Sequence, residues 1–515
     1  MRLNILIGGK AGQGINKISE IVSHLLASLG YFTFNYRDYP SLIRGGHNFN
    51  VLCVSDSRVG SIDSKIDIII ALDDNTIVKH KNKLKKDTII LDHKKFENLG
   101  KNLNIALAGA LIKVLGINQN ILTEKVQNEF KNNDAVDAVK KGFESEKTKF
   151  ELKKLNNKIK IMTGTNGITK GAINSGIDLY IAYPMTPATG VMHELASLEK
   201  EKNLQVFQSE NEVAAINQSL GASFAGAKVM VGSSGGGYDL MCEGLSFQGM
   251  SEIPLNVYLC SRPGPGTGVP TYSLQDDLEI ALRGGHGEFP RIVIAPGDPI
   301  ETIESTNQSF YLSEKFNCLS IILSDKHLAE SEFSSDKKEN KTMPIKITRE
   351  IPGKKIVKVT SYEHDKFGNT TEDSNITKIS ADARIEKYGK MKKECKKFEM
   401  TKTYGNPNAK NLIIGWGSTK TVILDALDSI DSSIKTKKGN YKFLQVVYVK
   451  PLSDKIKKEI EKANNVILIE QNVTGQLGRL IREKTGIKIE NRILKYDGRP
   501  FYCDELREKI LEVGE

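Results

Sequence analysis

The chain has 515 residues, 39% of them hydrophobic and 26% charged, with a formal net charge of +10. That length predicts about three or four domains, and the composition excludes a disordered or fibrous chain. The 73 Lys and Arg residues are scattered, with no basic run interleaved with aromatics, so a lysine-rich solvated surface is expected rather than a nucleic-acid interface. In the first region, Leu3–Ile7, Ile68–Leu72 and Thr88–Leu91 read as strands that alternate with helical stretches such as Ile15–Leu29. This βαβ rhythm predicts a parallel sheet over residues 1–150. The charged stretch Glu144–Lys160 reads as a linker. A second α/β unit is expected over 160–330, with strands at Leu179–Tyr183, Ala227–Gly232, Leu255–Leu259 and Arg291–Ala295. A polar, lysine-rich linker region follows over 331–407, with an exposed loop at Ser334–Lys341 and a charged helix at Asn375–Lys397. A third α/β unit, 408–515, carries strands at Asn411–Gly415, Phe443–Val449 and Asn465–Glu470. The fold class is therefore α/β, with several parallel-sheet domains.

The six cysteines are scattered, with no C-x-x-C pair, so no local pattern for zinc or an iron–sulfur cluster is present and no metal site is expected on this chain. No leader peptide is apparent and no apolar run approaches the ~18 residues of a membrane span, which predicts a soluble, cytoplasmic protein.

Three glycine-rich segments follow strands. Gly8-Gly9-Lys10-Ala11-Gly12-Gln13-Gly14 opens a helix, a context in which free backbone N–H groups meet an anion. The G-x-G-x-x-G fingerprint is absent. A P-loop is a near miss, because Ile15 and Asn16 stand where Lys and Ser/Thr belong. Gly9, Gly12, Gln13 and Gly14, with Arg44 of Arg44-Gly45-Gly46-His47, make an anion or coenzyme A loop one reading; a tight structural turn is the other. Ser233-Ser234-Gly235-Gly236-Gly237 lets a ligand approach the backbone. Arg262, at a strand end before the Pro/Gly-rich loop 263–268, suits a two-pronged grip on a carboxylate, or is a surface arginine. Val213, Ile216, Leu220 and Phe224 recur at helical spacing, with Glu212 at the helix start on the side of Ala215 and Ile216. A carboxylate on an apolar stripe either answers the helix dipole or handles a proton.

These residues resemble a known family. Ala182-Tyr183-Pro184-Met185-Thr186-Pro187 resembles the YPITP signature of 2-oxoacid:ferredoxin oxidoreductases, with Met185 replacing Ile. Glu210-Asn211-Glu212-Val213-Ala214-Ala215 followed by Gly221-Ala222-Ser223-Phe224-Ala225-Gly226 is similar to that family's E-x-E-x-A-A…G-A-S-x-A-G block. Arg262 to Thr271 resembles its R-x-G-P-S-T-G-x-P-T loop, with Gly266 in place of Ser. Tyr39-Pro40-Ser41-Leu42-Ile43-Arg44-Gly45-Gly46-His47 resembles the family's gamma subunit, and Glu363-His364-Asp365 to Glu372-Asp373 resembles the linker of the fused gamma–alpha type often assigned to 2-oxoglutarate.

The resemblance implies a gamma-like domain, a thiamine pyrimidine-binding domain and a transketolase C-terminal-like domain. It implies thiamine diphosphate, shared with a beta subunit that carries Mg²⁺ and a [4Fe-4S] cluster, and coenzyme A, ferredoxin and a 2-oxoacid as reaction partners. Glu212 would bond N1′ of the aminopyrimidine, beside Pro184. Tyr183, Thr186, Arg262 and Thr267 would bind substrate. Two alternatives stay open: a thiamine-dependent decarboxylase or transketolase-like subunit without electron transfer, and a non-catalytic coenzyme A- or nucleotide-binding protein.

Overall fold

The structure is a computed structural model; it describes residues 1–40, 46–340, 342–347, 349–350, 352–357, 360–434 and 439–514. The chain divides into two compact units. One comprises Met1–Met162, Ser331–Lys337 and Phe501–Leu506; the other comprises Thr163–Glu330, Lys338–Pro500 and Arg507–Glu515.

The first unit is built on a seven-stranded sheet, in the order Leu84–Asp92, Ile66–Ala71, Arg2–Lys10, His47–Ser55, Phe32–Asp38, Glu332–Ser335, Lys160–Met162. Only its first three strands are parallel; from Arg2–Lys10 onward every neighbour is antiparallel. The βαβ rhythm thus describes one half of this sheet. The other half begins where Phe32–Asp38 pairs antiparallel with His47–Ser55, a pairing that needs no crossover helix. The exposed loop expected at Ser334–Lys341 is corrected at its start. Ser334 and Ser335 lie in a strand whose backbone pairs on both sides, the Ser334 hydroxyl accepts from the Thr33 N–H at 2.7 Å, and Phe333 packs edge-on to Phe34. Polar side chains here face hydrogen-bond partners rather than water. The sequence Ile15–Ser28 forms the helix that covers this sheet, burying Ile18, Val22, Leu25 and Leu26.

The second unit holds two sheets. The larger runs Tyr448–Lys450, Arg291–Ile294, Leu319–Asp325, Leu255–Ser261, Val229–Ser233, Leu179–Ala182, Gln205–Gln208, and is parallel except at Tyr448–Lys450. Its central strands are buried throughout, as near-continuous apolar runs in a sheet covered on both faces must be. The smaller sheet runs Thr401–Gly405, Tyr441–Val446, Asn411–Trp416, Asn465–Glu470, Asn491–Leu494, and is parallel but for its first strand. Leu255, Val257 and Leu259 of the larger sheet and Leu412, Ile414 and Leu444 of the smaller share one core cluster. Burial at ~25 cal/mol per Å² of apolar surface makes this shared core the main term holding the two sheets together. Beside it Lys420, 1% exposed, bridges Asp298 at 2.6 Å and Glu301 at 2.5 Å. Burial acts to lower the Lys420 pKa, but the two carboxylates overcome it and hold the ammonium charged.

Candidate active site

In a parallel sheet the carboxyl ends of neighbouring strands open onto one edge, where the loops are free to carry chemistry. Four adjacent strands of the larger sheet place the relevant residues there. Tyr183 to Thr186 follow Leu179–Ala182, Glu212 follows Gln205–Gln208, the glycine run 235–237 follows Val229–Ser233, and Arg262 follows Leu255–Ser261.

Glu212 is the first residue of the helix Glu212–Phe224. Asn211 caps it, its side-chain oxygen accepting from the Ala214 N–H at 2.8 Å. The capped start fixes the rotation of the helix. Glu212, Ala215, Ile216, Ser219, Leu220 and Ser223 face inward, whereas Val213 is 47% exposed. The apolar stripe expected through Val213 is thus corrected by one position. The Asn211 cap turns Val213 to solvent and gives its place on the buried face to Glu212.

Glu212 is 3% exposed and its Oε1 has no hydrogen-bond partner. A carboxylate oxygen left bare in a protein interior costs on the order of 1–3 kcal/mol or more, so a donor is called for at that point. Space around it is kept by Gly237, where a Cβ would lie 2.5 Å from Glu212 Oε1 and collide with Ser233 Oγ. The Ser233 hydroxyl is 3.8 Å from the Met185 sulfur.

Arg262 is half-buried and donates from Nη1 to the Thr186 carbonyl oxygen at 2.8 Å, which ties its loop to the 183–187 segment. Burial lowers its pKa, while the charges of Asp277 and Glu212 act to hold it up. Thr186 and Pro184 are partly exposed, Tyr183 is 40% exposed, and Thr267 stands exposed on the loop after Arg262. The structure therefore brings Glu212, Met185, Thr186 and Arg262 to one edge.

Asp277 was missed by sequence reasoning. The pair Asp276-Asp277 precedes the short apolar helix Leu278–Arg283 and looks like an ordinary cap, yet Asp277 makes no side-chain cap bond. It is partly buried, with its Oδ2 shut off from solvent, and points at the glycine run: a Cβ on Gly235 would collide with its carboxylate. Burial pushes the Asp277 carboxyl up to about 6, with Ser261 and Arg262 opposing and Asp276 and Asp239 adding. An adjacent acidic pair one residue before a buried apolar turn was the available signal. The segment that carries it is held by the smaller sheet. Gln275 donates to the Trp416 carbonyl at 2.8 Å, and Gln476 donates to the Asp276 carbonyl at 2.8 Å.

In the first unit, the turn after Arg2–Lys10 closes on itself. Gln13 Oε1 accepts from the Lys10 N–H at 2.6 Å, and Gln13 Nε2 donates to the Leu72 carbonyl at 3.1 Å. Gln13 fills the space over Gly9, and Gly14 caps the helix Ile15–Ser28 without a side chain and with no acid in the first turn. Arg44 lies outside the described residues. His47 Nε2 meets His80 Nε2 at 2.9 Å, and burial lowers both imidazoles, His80 to about 3, so the pair is neutral.

A buried glutamate without a donor, at the head of a helix and beside a glycine cradle, fits the aminopyrimidine of thiamine diphosphate. Residues 170–398 match the family model described as pyruvate flavodoxin/ferredoxin oxidoreductase, thiamine diphosphate-binding, and residues 4–100 match pyruvate ferredoxin/flavodoxin oxidoreductase. The fold and site thus define a thiamine diphosphate-dependent oxidoreductase subunit. The 2-oxoacid:ferredoxin oxidoreductase subunit alpha of Sulfolobus sp. is 29% identical, covering 100% of this chain and 97% of that one. Subunit alpha of 2-oxoacid:ferredoxin oxidoreductase 1 from Sulfurisphaera tokodaii is 29% identical, covering 100% and 98%. Among solved structures, 2-oxoglutarate:ferredoxin oxidoreductase from Magnetococcus marinus, with 2-oxoglutarate, coenzyme A and succinyl-CoA bound, superposes with a TM-score of 0.88 over 99% of both chains at 25% identity. Along its whole length the chain is thus similar to the alpha subunits of 2-oxoacid:ferredoxin oxidoreductases. Among the described residues no helix is long and apolar enough to cross a membrane.

Proposed function

We propose that this chain supplies the pyrimidine and substrate side of an active site completed by a beta subunit. The enzyme oxidatively decarboxylates a 2-oxoacid, 2-oxoglutarate or pyruvate, to acyl-CoA and CO₂ and reduces ferredoxin. The observation that carries this reading is Glu212, buried with Oε1 unpartnered at the carboxyl edge of the larger sheet. Bound thiamine diphosphate supplies the electron sink that lets the carboxylate of the 2-oxoacid depart.

The pyrimidine and substrate contacts come from side chains of this chain. Glu212 takes the proton-bearing or proton-accepting role toward the pyrimidine nitrogen, at the unpartnered Oε1. Pro184 lies on the segment beside it. Arg262 grips the substrate carboxylate with parallel N–H donors, and the Thr186 hydroxyl adds one more. Tyr183 and Thr267 line the approach. The beta subunit brings Mg²⁺, the diphosphate contacts and a [4Fe-4S] cluster. Coenzyme A is assigned to the Gly9, Gly12, Gln13 and Gly14 turn, where a 14-residue helix with no acid in its first turn presents its N–H groups. Arg44 is proposed as a further anion contact there. The complex works in the cytoplasm.

The test is Glu212→Gln in the complex reconstituted with its beta subunit. Dye reduction with a 2-oxoacid and coenzyme A should fall on the order of 10²–10⁴-fold while the two chains still co-purify. Turnover near that of the wild type would sink the assignment.

A further inference from the structure

The loop that follows Arg262 has little packing of its own. Gly264, Pro265, Gly266, Thr267 and Gly268 are exposed, and a Cβ on Gly264 or Gly266 would meet nothing within 4 Å. A glycine-rich loop without side-chain contacts depends on hydrogen bonds to stay in one conformation. Two such bonds flank the guanidinium. Arg262 Nη1 donates to the Thr186 carbonyl at 2.8 Å, and the Gly264 N–H donates to Asp276 Oδ2 at 3.3 Å. Asp276 is in turn held from the smaller sheet. Its carbonyl oxygen accepts from Gln476 Nε2 at 2.8 Å, and Gln476 Oε1 accepts from the Glu279 N–H at 3.1 Å. Next to it Gln275, 1% exposed, closes a clasp of three bonds. Its N–H donates to the Gln471 carbonyl at 2.7 Å, its Oε1 accepts from the Gln471 N–H at 2.9 Å, and its Nε2 donates to the Trp416 carbonyl at 2.8 Å. Trp416 and Gln471 stand at the carboxyl ends of Asn411–Trp416 and Asn465–Glu470. In an open parallel sheet that edge is where a ligand docks; here Gln275 occupies it.

We propose that the smaller sheet supports substrate binding, with Asp276 as the positioning residue through which it sets the Arg262 loop. The contacts run without a gap from Gln476 to the Asp276 carbonyl, and from the Asp276 carboxylate to Gly264, two residues beyond Arg262. Asp276 acts as a hydrogen-bond acceptor, and its charge is not what the loop requires. No proton moves and no bond to carbon changes. The inference rests on the reading of Arg262 as the carboxylate grip. A loop freed from Asp276 lets the guanidinium leave the position in which its parallel N–H donors meet a carboxylate, so the 2-oxoacid binds more weakly.

The experiment measures KM for the 2-oxoacid that the reconstituted complex turns over fastest, and KM for coenzyme A. The variants are Asp276→Ala, Asp276→Asn, Gln476→Ala, Arg262→Ala and the double variant D276A/R262A. In D276A the KM for the 2-oxoacid should rise on the order of tenfold while that for coenzyme A stays as in the wild type. D276N should restore the wild-type KM, because its amide oxygen still accepts from the Gly264 N–H. Q476A should raise the same KM by a smaller factor, about threefold. D276A should add nothing on top of R262A, since both act on one grip. A general loss of folded enzyme lowers kcat and leaves KM where it was, and D276N and Q476A carry the test even where D276A folds poorly. A wild-type KM in D276A or in Q476A, a D276N as impaired as D276A, or multiplying effects in the double variant would each overturn the proposal. If R262A leaves KM unchanged, the carboxylate-grip reading fails and takes the proposal with it. If R262A raises KM while D276A does not, only the role of Asp276 fails.

Discussion

Two glycine-rich turns in this chain have the same plan and opposite electrostatics. Both follow a buried strand and open a helix. In the turn 8–14 of the first unit, Lys10, Ala11 and Gly12 are exposed, a Cβ on Gly12 would meet nothing within 4 Å, and the helix start carries no acid. In the turn 233–237 of the second unit, Ser233 and Ser234 are buried, and the space above Gly235 and Gly237 belongs to the carboxylates of Asp277 and Glu212. The first turn is open and carries no acid at its helix start; the second is crowded by two carboxylates. A glycine run after a strand therefore says that something comes close to the backbone. Which sign of charge comes close is decided by residues far away in sequence, 212 and 277.

The comparison is broken most directly by filling the second turn. Gly237→Ala puts a methyl 2.5 Å from Glu212 Oε1. Displacing that carboxylate by about 1 Å should cost on the order of 100-fold in dye-reduction rate, with an unchanged circular dichroism spectrum. A fully active G237A variant would mean that the crowding has no bearing on catalysis. A second effect concerns stability. The folded-state value for Asp277, about 6, lies above the ordinary 3.8. The stability that this carboxyl contributes is therefore whole below pH 3.8 and is lost as pH rises through 6. Asn stays neutral, so D277N should exceed wild type in denaturant unfolding by about 3 kcal/mol near pH 8 and match it near pH 4. Equal differences at both pH values would remove Asp277 from the crowded side of the comparison. The smallest effect falls on the open turn. Gly12, at φ +90, lies in the left-handed region, so Gly12→Ala should cost about 1 kcal/mol in stability with no steric clash. A much larger loss would show that this turn is as tightly packed as the other.

The α/β class and the strand positions of the second unit were legible because fully buried parallel strands leave continuous apolar runs; Asn465–Glu470 is found at its expected bounds. The antiparallel half of the first sheet was hidden, since Glu332–Ser335 is short, polar and paired with strands some 300 and 170 residues earlier. Glu212 stood out because a charge breaks an apolar period. Its facing, on the side of Ala215 and Ile216, was legible too; the period misplaced Val213, which the capped helix start turns to solvent. Asp277 was masked for the opposite reason: its acidic pair reads as an ordinary helix cap, and only the fold shows that it makes no cap bond.

The strand Glu332–Ser335 also bears on how the polypeptide matures. The first sheet lacks its two outer strands until Lys160–Met162 and then residues 331–337 have been synthesised, and the first unit is complete only with Phe501–Leu506. During translation the first unit must therefore wait, with the edge of Phe32–Asp38 unpaired, while the second is being made. An unpaired edge is an invitation to aggregate. A gene split near residue 155 would turn that temporary exposure into a permanent one, so separating the two parts of this fusion requires a new edge as well as a new terminus.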